Sequence, residues 1–205
     1  MGMTGRRERR KLATRTAVRE AALRLALRHG VENVTVEQIA AEADIALRTF
    51  FNYFPGKEEA LVAAAAAGAE ALIAEFRARP ATESVLGALR EAVLAVADRG
   101  DATGRDYVRA LQLVRRSPSL VPHQLAVLAA QERALAEAVA ERVGPGTAGG
   151  IYPALCAATA LTALRVVMDR WLERATDPEQ PPPVDVLRED VDQAIAVLAG
   201  GLDRP

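Results

Sequence analysis

Between Arg48 and Lys57 the chain reads RTFFNYFPGK, and several side chains in this short stretch share one kind of chemistry. Arginine pairs bidentately with guanine, asparagine pairs with adenine, and threonine or an aromatic ring meets the thymine methyl group. Arg48, Thr49, Phe51, Asn52 and Tyr53 are therefore base-reading residue types set close together. Lys57 follows them, and Arg6, Arg7, Arg9 and Arg10 precede them; cations of this kind meet phosphate and supply affinity that falls with salt. Of the eight aromatic residues in the chain, Phe50, Phe51, Tyr53 and Phe54 fall within five positions. On a helix they would point all round its axis, so some must face solvent or a partner.

Such residues need a rigid platform. Thr35 and Gln38 have the spacing of a capping box, in which the threonine hydroxyl accepts from an early helical N–H and the glutamine reaches back. Val34 and Ile39 stand where a hydrophobic staple would fix the entry of the chain. Val36, Ile39, Ala40 and Ala43 form one apolar face, and Ile45, Phe50 and Phe54 form a matching one. Between them Ala43 to Ala46 makes a short turn in which Asp44 tolerates a left-handed backbone. Two short helices with a tight turn and a shared apolar seam describe a helix-turn-helix, whose second helix enters the major groove.

Composition is consistent with this only when resolved along the chain. The 205 residues carry a formal charge of −1, which would argue against a nucleic-acid partner, but residues 1–57 sum to +5 and residues 58–205 to −6. The single cysteine, Cys156, excludes a disulfide framework, and two histidines make no metal cluster. There is no Gly-rich phosphate loop and no nucleophile elbow, so neither an enzyme nor a bound cofactor or metal is expected. Met1 to Lys11 has no apolar core of the kind a secretory signal needs, and the apolar stretch 151–168 is short for a membrane span and broken by Thr159, Thr162 and Arg165. A cytoplasmic address with no membrane partner is the expectation.

Gly and Pro clusters separate long runs of Ala, Leu, Arg and Glu whose apolar residues recur three and four apart. The pattern predicts an all-α chain of nine helices over 9–29, 36–42, 47–53, 57–79, 82–98, 105–116, 120–142, 150–175 and 184–200. An N-terminal three-helix DNA-binding domain, 1–56, is expected to run through a continuous fourth helix into a C-terminal domain, 57–205.

The segment TVEQIAAEADIALRTFFNYFPGKEEAL, Thr35 to Leu61, resembles the DNA-binding domain of the TetR (tetracycline repressor) family of bacterial transcription regulators. That resemblance implies a homodimeric, ligand-responsive repressor with Thr49, Phe51, Tyr53 and Lys57 on DNA. The expected DNA-binding set is Thr35, Arg48, Thr49, Phe51, Asn52, Tyr53 and Lys57, with Arg6, Arg7 and Arg9 on phosphate. Arg48 and Asn52 occupy variable positions of the family and are the candidates for sequence choice. Two residues depart from the family pattern: Asp44 replaces a usual Gly, and Ala46 replaces a usual Ser that would cap the reading helix and reach a phosphate. The missing cap is expected to cost about 1 kcal/mol.

In the remainder, the predicted helix over 150–175 is apolar nearly all round, so it must be covered on more than one side. Self-association of the last two helices into a four-helix bundle is the economical solution, with Leu155, Arg165, Met168, Leu187, Val191, Ala194 and Leu198 as candidate interface residues. A dimer also explains recognition, since paired heads bind half-sites roughly 34–36 Å apart and hence a palindromic operator in double-stranded DNA. Arg165 lies four residues before Asp169 and is expected to pair with it or to bridge subunits rather than to anchor a ligand. Phe76, Tyr107, Arg109, Gln112, His123, Thr159, Thr162 and Trp171 are the candidate residues around an effector cavity. Scarce aromatics and abundant Ala, Leu and Val favour an aliphatic small-molecule effector with few polar groups. RTFFNYF and the tryptophan-ended helix also look like the branch of actinobacterial regulators that includes mycofactocin-system regulators, which implies an acyl-type ligand. An activator, or a helical interaction protein that does not bind DNA, remain the alternatives.

Overall fold

The computed structural model describes residues 3–98, 102–174 and 182–201. Among them are ten α-helices, two single 3₁₀ turns and no strand. The helices are α1 (Met3–His29), α2 (Val36–Glu42), α3 (Leu47–Phe51), α4 (Lys57–Ala78), α5 (Val85–Ala97), α6 (Ala102–Arg116), α7 (Val121–Val143), α8 (Pro145–Ala148), α9 (Tyr152–Glu173) and α10 (Val184–Gly200). The helix absent from the sequence reading is α8. Gly144, at φ 76°, breaks the chain and Pro145 starts a single new turn, too short to show an amphipathic period. α5 starts at Val85 rather than at 82, because the Ser84 hydroxyl accepts from the Gly87 N–H and sets the N-cap there.

The chain divides into two compact units that interleave in sequence. The first comprises residues 1–67 and 106–127, and the second residues 68–105 and 128–205. The core of the first unit gathers Val18, Ala22 and Leu25 of α1, Ile39 of α2, Phe50 and Phe54 at α3, and Leu61 of α4. Val114 and Leu120, from the distant 106–127 segment, complete the same cluster, and Leu120 is fully buried in it. The second unit packs Leu72, Ile73 and Phe76 of α4 with Leu89, Leu135, Val139 and Leu161. Within it the Arg142 guanidinium stacks on the Phe76 ring at 4.7 Å and donates to the carbonyls of Phe76, Arg79, Pro80 and Glu83. One arginine thereby ties the last turn of α4 to the chain that follows it.

Candidate nucleic-acid interface

The start of α2 is fixed by both halves of the capping box: Thr35 Oγ1 accepts from the Gln38 N–H at 3.3 Å, and Gln38 Oε1 accepts from the Thr35 N–H at 2.9 Å. Thr35 thus spends its hydroxyl on the helix it begins. The turn into α3 passes through Asp44 at φ 52°, a left-handed conformation that aspartate adopts more readily than most non-glycine residues. Its backbone closes with the Ile45 N–H donating to the Ala40 carbonyl at 3.0 Å. α3 then starts at Leu47, and Ala46 at its N-cap position supplies no side-chain cap, as the sequence implies.

The aromatic cluster separates into two roles. Phe50 and Phe54 are buried, with ring centroids 6.0 Å apart, while Phe51 is 53% exposed and meets Phe50 edge-on at 5.5 Å. Arg48 and Asn52 are exposed beside Phe51. Tyr53 is half-buried and packs its ring against the core, and Thr49 is also half-buried. One face of α3 therefore presents an arginine, an aromatic edge and an amide, held from behind by two buried phenylalanines. This arrangement offers bidentate hydrogen bonding and a methyl-sized apolar contact to base edges.

Lys57 sits differently from a free surface cation. Its Nζ donates to the carbonyls of Val31 (3.0 Å), Glu32 (3.3 Å) and Val34 (2.9 Å), which uses all three ammonium hydrogens. The start of α4 is so tied to the connection between α1 and α2. Further ties join the 106–127 segment to the same unit. Ser119 Oγ donates to Glu32 Oε1 at 2.8 Å, and His123 Nδ1 lies 3.1 Å from Glu59 Oε1. Arg24 and Arg28 of α1 both reach Glu42, and the Arg24 hydrogen bond holds that carboxyl below the usual carboxylate range. Arg6, Arg7 and Arg9 are exposed on the first turns of α1.

The candidate effector residues are divided between the two units. Arg109, Gln112 and His123 belong to the first, and Phe76, Thr159, Thr162 and Trp171 to the second; the Tyr107 side chain lies outside the described residues. Phe76 is fully buried under Arg142. Trp171 is buried too, its Nε1 donating to the Pro183 carbonyl at 3.2 Å. Thr159 and Thr162 line an open groove between α9 and α10 together with Val166, Ala194, Val197 and Leu198.

On α9, Tyr152, Leu155, Thr159, Thr162 and Val166 follow one another at alternating intervals of three and four. Spacing of this kind marks the seam of a helix that faces another helix. Leu155 is 59% exposed on this stripe, and Val197 on α10 is 50% exposed. Met168, Leu187 and Val191 are instead covered by their own chain. Arg165 and Asp169 form the expected pair, at 3.5 Å. One rim of the groove carries the buried Asp190, which accepts from Arg174 at 2.5 and 3.2 Å and lies 3.8 Å from Arg170.

Cys156 is half-buried; burial pushes its thiol up, against a smaller lowering by its hydrogen bond to Tyr152. Among the described residues no group of three His, Cys, Asp or Glu side chains could hold a metal ion, and no helix is long and apolar enough to cross a membrane.

The geometry agrees with what known proteins show. Residues 18–65 match the bacterial regulatory proteins of the tetR family, and residues 83–203 match the MftR C-terminal domain. The chain is 36% identical to the HTH-type transcriptional regulator TcmR of Streptomyces glaucescens, over 83% of this chain and 78% of that protein. It is 26% identical to a Mycobacterium tuberculosis protein assigned as the mycofactocin biosynthesis transcriptional regulator MftR, over 96% and 94% of the two chains. The fold matches that of the fatty acid degradation regulator FadR from Bacillus halodurans with a TM-score of 0.57 at 19% identity, covering 94% of this chain and 97% of that one. A helix-turn-helix with a presented α3 face, inside a chain matched at both ends, thus identifies the protein as a DNA-binding transcriptional regulator of the TetR family.

Proposed function

We propose that this regulator is a homodimeric repressor that holds a palindromic operator and leaves it when a small, mainly aliphatic effector binds. Residues 1–56 bind DNA and residues 57–205 bind effector and partner subunit. The observation that carries the reading is the outward face of α3, where Arg48, Phe51 and Asn52 are exposed on a reading helix whose other side is locked into the core. Arg48 and Asn52 choose the sequence; Thr49, Phe51 and Tyr53 contact the groove wall and bases, and Thr35, Arg6, Arg7 and Arg9 approach the backbone.

Dimerisation is assigned to the α9–α10 groove and its seam. Leu155, Val166 and Val197, with Tyr152 on the same seam, are apolar residues that the protomer leaves exposed there. For the effector, the support is the aliphatic composition of the chain and its likeness to mycofactocin-type regulators, which favours an acyl chain. Coupling follows from the core of the first unit. Val114 and Leu120 lie in the cluster that also holds Ile39, Phe50 and Phe54, so a shift of the 106–127 segment disturbs the packing beneath the reading helix. The effector must bind one of these arrangements more tightly than the other to move the equilibrium.

The test begins with selection of a preferred duplex from a random library by the purified protein. Binding to it should weaken steeply with salt, and Arg48→Ala or Asn52→Ala should flatten the preference at one position, by about 1–3 kcal/mol per lost base contact. Absence of any preferred sequence at low salt refutes the reading. Melting temperatures measured with acyl-CoAs, fatty acids and planar aromatic drugs address the effector; stabilisation by the planar compounds alone overturns the aliphatic assignment. A reporter gene behind the selected operator should be silenced by the protein and released by the stabilising compound.

A further inference from the structure

α3 presents two short rows of side chains to solvent. Asn52 closes the helix with a helical backbone of its own, at φ −72° and ψ −16°, so the spacing of α3 holds through it. Leu47 and Phe51 are therefore neighbours at i,i+4, and Arg48 and Asn52 are neighbours in the same relation about 100° round the axis. The second row is polar and carries the hydrogen-bonding groups described above. The first row is wholly apolar, and Leu47 is 39% exposed beside the more exposed Phe51.

This apolar row is separate from the core. From the same segment Ile45, Phe50, Tyr53 and Phe54 pack into the cluster of the first unit. The Phe51 ring meets Phe50 at an interplanar angle of 87°, an edge-to-face contact that holds it in place from behind. Leu47 stands in the first turn of α3, where a reading helix brings its residues to base edges.

Neither side chain donates or accepts a hydrogen bond, so neither gains from phosphate oxygens or from the polar edges of the bases. The apolar group that the major groove offers them is the 5-methyl of thymine. An A·T pair displays that methyl together with the adenine N6 and N7 atoms that an asparagine addresses bidentately. One apolar and one polar row thus match the two kinds of group on a thymine-containing stretch. Leu47 and Phe51 lie about 6 Å apart along α3, a span of about two base-pair steps at about 3.4 Å each.

We propose that Leu47 is a specificity-determining residue, which with Phe51 forms an apolar strip that reads thymine 5-methyl groups at two positions of each operator half-site. The inference rests on α3 being the reading helix, and it adds to the hydrogen-bonding choice made by Arg48 and Asn52 a demand for the methyl group itself. At those two positions the protein distinguishes thymine from uracil, which offers the same hydrogen-bonding edge without the methyl.

The test uses full-length protein and the selected operator, with each thymine of a half-site replaced in turn by deoxyuridine. Two positions should each weaken binding about four-fold, the worth of one buried methyl-sized group. In Leu47→Ala one of these positions should become indifferent to the methyl, while the other, and the preferences set by Arg48 and Asn52, persist; the DNA-free melting temperature should stay native because the side chain packs outside the core. Where cytosine replaces the thymine that Leu47 meets, 5-methylation of that cytosine should recover about four-fold in the native protein and nothing in Leu47→Ala. Equal weakening of the thymine and uracil duplexes by Leu47→Ala assigns the side chain to sugar contacts or to packing and overturns the proposal. Native binding that no deoxyuridine alters by as much as about two-fold overturns it too, while leaving the operator-binding reading intact. Failure of the native protein to select any duplex rejects that reading and the proposal with it.

Discussion

Replacing Lys57 separates two roles that the same residue could play. If it is chiefly a phosphate contact, as family resemblance implies, its loss leaves the DNA-free protein unchanged and lowers the salt slope by about 0.9 for each lysine lost. The structure engages its ammonium with three carbonyls, at 2.9, 3.0 and 3.3 Å. A net hydrogen bond involving a charged group contributes about 1.5–3 kcal/mol when well shielded. The Glu32 carbonyl is exposed and regains water, so its bond adds little; those of Val31 and Val34 are partly buried, and each is worth about 1–1.5 kcal/mol after that discount. Lys57→Met, which keeps the apolar stem, should therefore cost about 2–3 kcal/mol. At about 2–4 °C per kcal/mol for a chain of this size, the DNA-free melting temperature should fall by about 4–12 °C. Lys57→Arg should lose much of the same stability, because the longer, rigid guanidinium does not fit the place where a compact ammonium meets the carbonyls of Val31, Glu32 and Val34, yet it keeps the positive charge. A calorimetric scan without DNA reads both. A shift under about 1 °C in Lys57→Met, with the salt slope reduced, refutes the clamp and restores the phosphate role.

The other expectations are brief. Ala46→Ser supplies the side-chain cap that α3 lacks and should raise stability by about 1 kcal/mol, read as a higher denaturant midpoint at constant m. Leu120→Ala empties a fully buried site in the core of the first unit and should cost about 2–5 kcal/mol in urea unfolding, although Leu120 is far in sequence from the helix-turn-helix. Val166→Asp combined with Val197→Asp places charge on the α9–α10 groove; sedimentation should then show a species of the 21.8 kDa chain mass in place of one twice as heavy. The hydrogen bond from Arg90 holds the Asp192 carboxyl below its ordinary value, so its folded-state pKa is lower than its unfolded one. That contribution is fully present above the unfolded pKa, near 4, and is lost as pH falls through the folded value. The melting temperature should thus drop less between pH 6 and pH 3 in Asp192→Asn than in the native chain.

What the sequence made legible has a common physical character: each feature is decided within about four residues. The Thr35–Gln38 box, the left-handed Asp44, the uncapped Ala46 and the Arg165–Asp169 pair all follow from local spacing, and each is found in the structure. The division of the aromatics was legible in part: Phe50 and Phe54 are buried and Phe51 is left outside, whereas Tyr53, expected to face outward as well, is half-buried against the core. Features decided by pairing across the chain were not legible. Lys57 meets carbonyls 23 to 26 residues away, and His123 meets Glu59 across 64. Nothing in the spacing of either residue encodes its partner. For the same reason the membership of 106–127 in the first compact unit is invisible in a linear reading, since Val114 and Leu120 look like any apolar residues on an amphipathic helix.

The last two helices show where hydrophobicity stops being informative. An apolar count around α9 says that it must be covered on several sides, but not which residues its own chain covers. Within the protomer α10 packs on α9 and also on α5, and the cover they provide takes in Met168, Leu187 and Val191. What remains exposed is Tyr152, Leu155, Thr162 and Val166 on the stripe, and Val197 on α10. The stripe is narrow, and its middle is threonine and alanine rather than leucine. Small side chains allow two helix backbones to approach closely and gain dispersion contact over many atoms rather than through a few large anchors. A face of that composition tolerates a single conservative substitution but not a buried charge. The two aspartates placed together therefore test the groove where one alanine substitution would not.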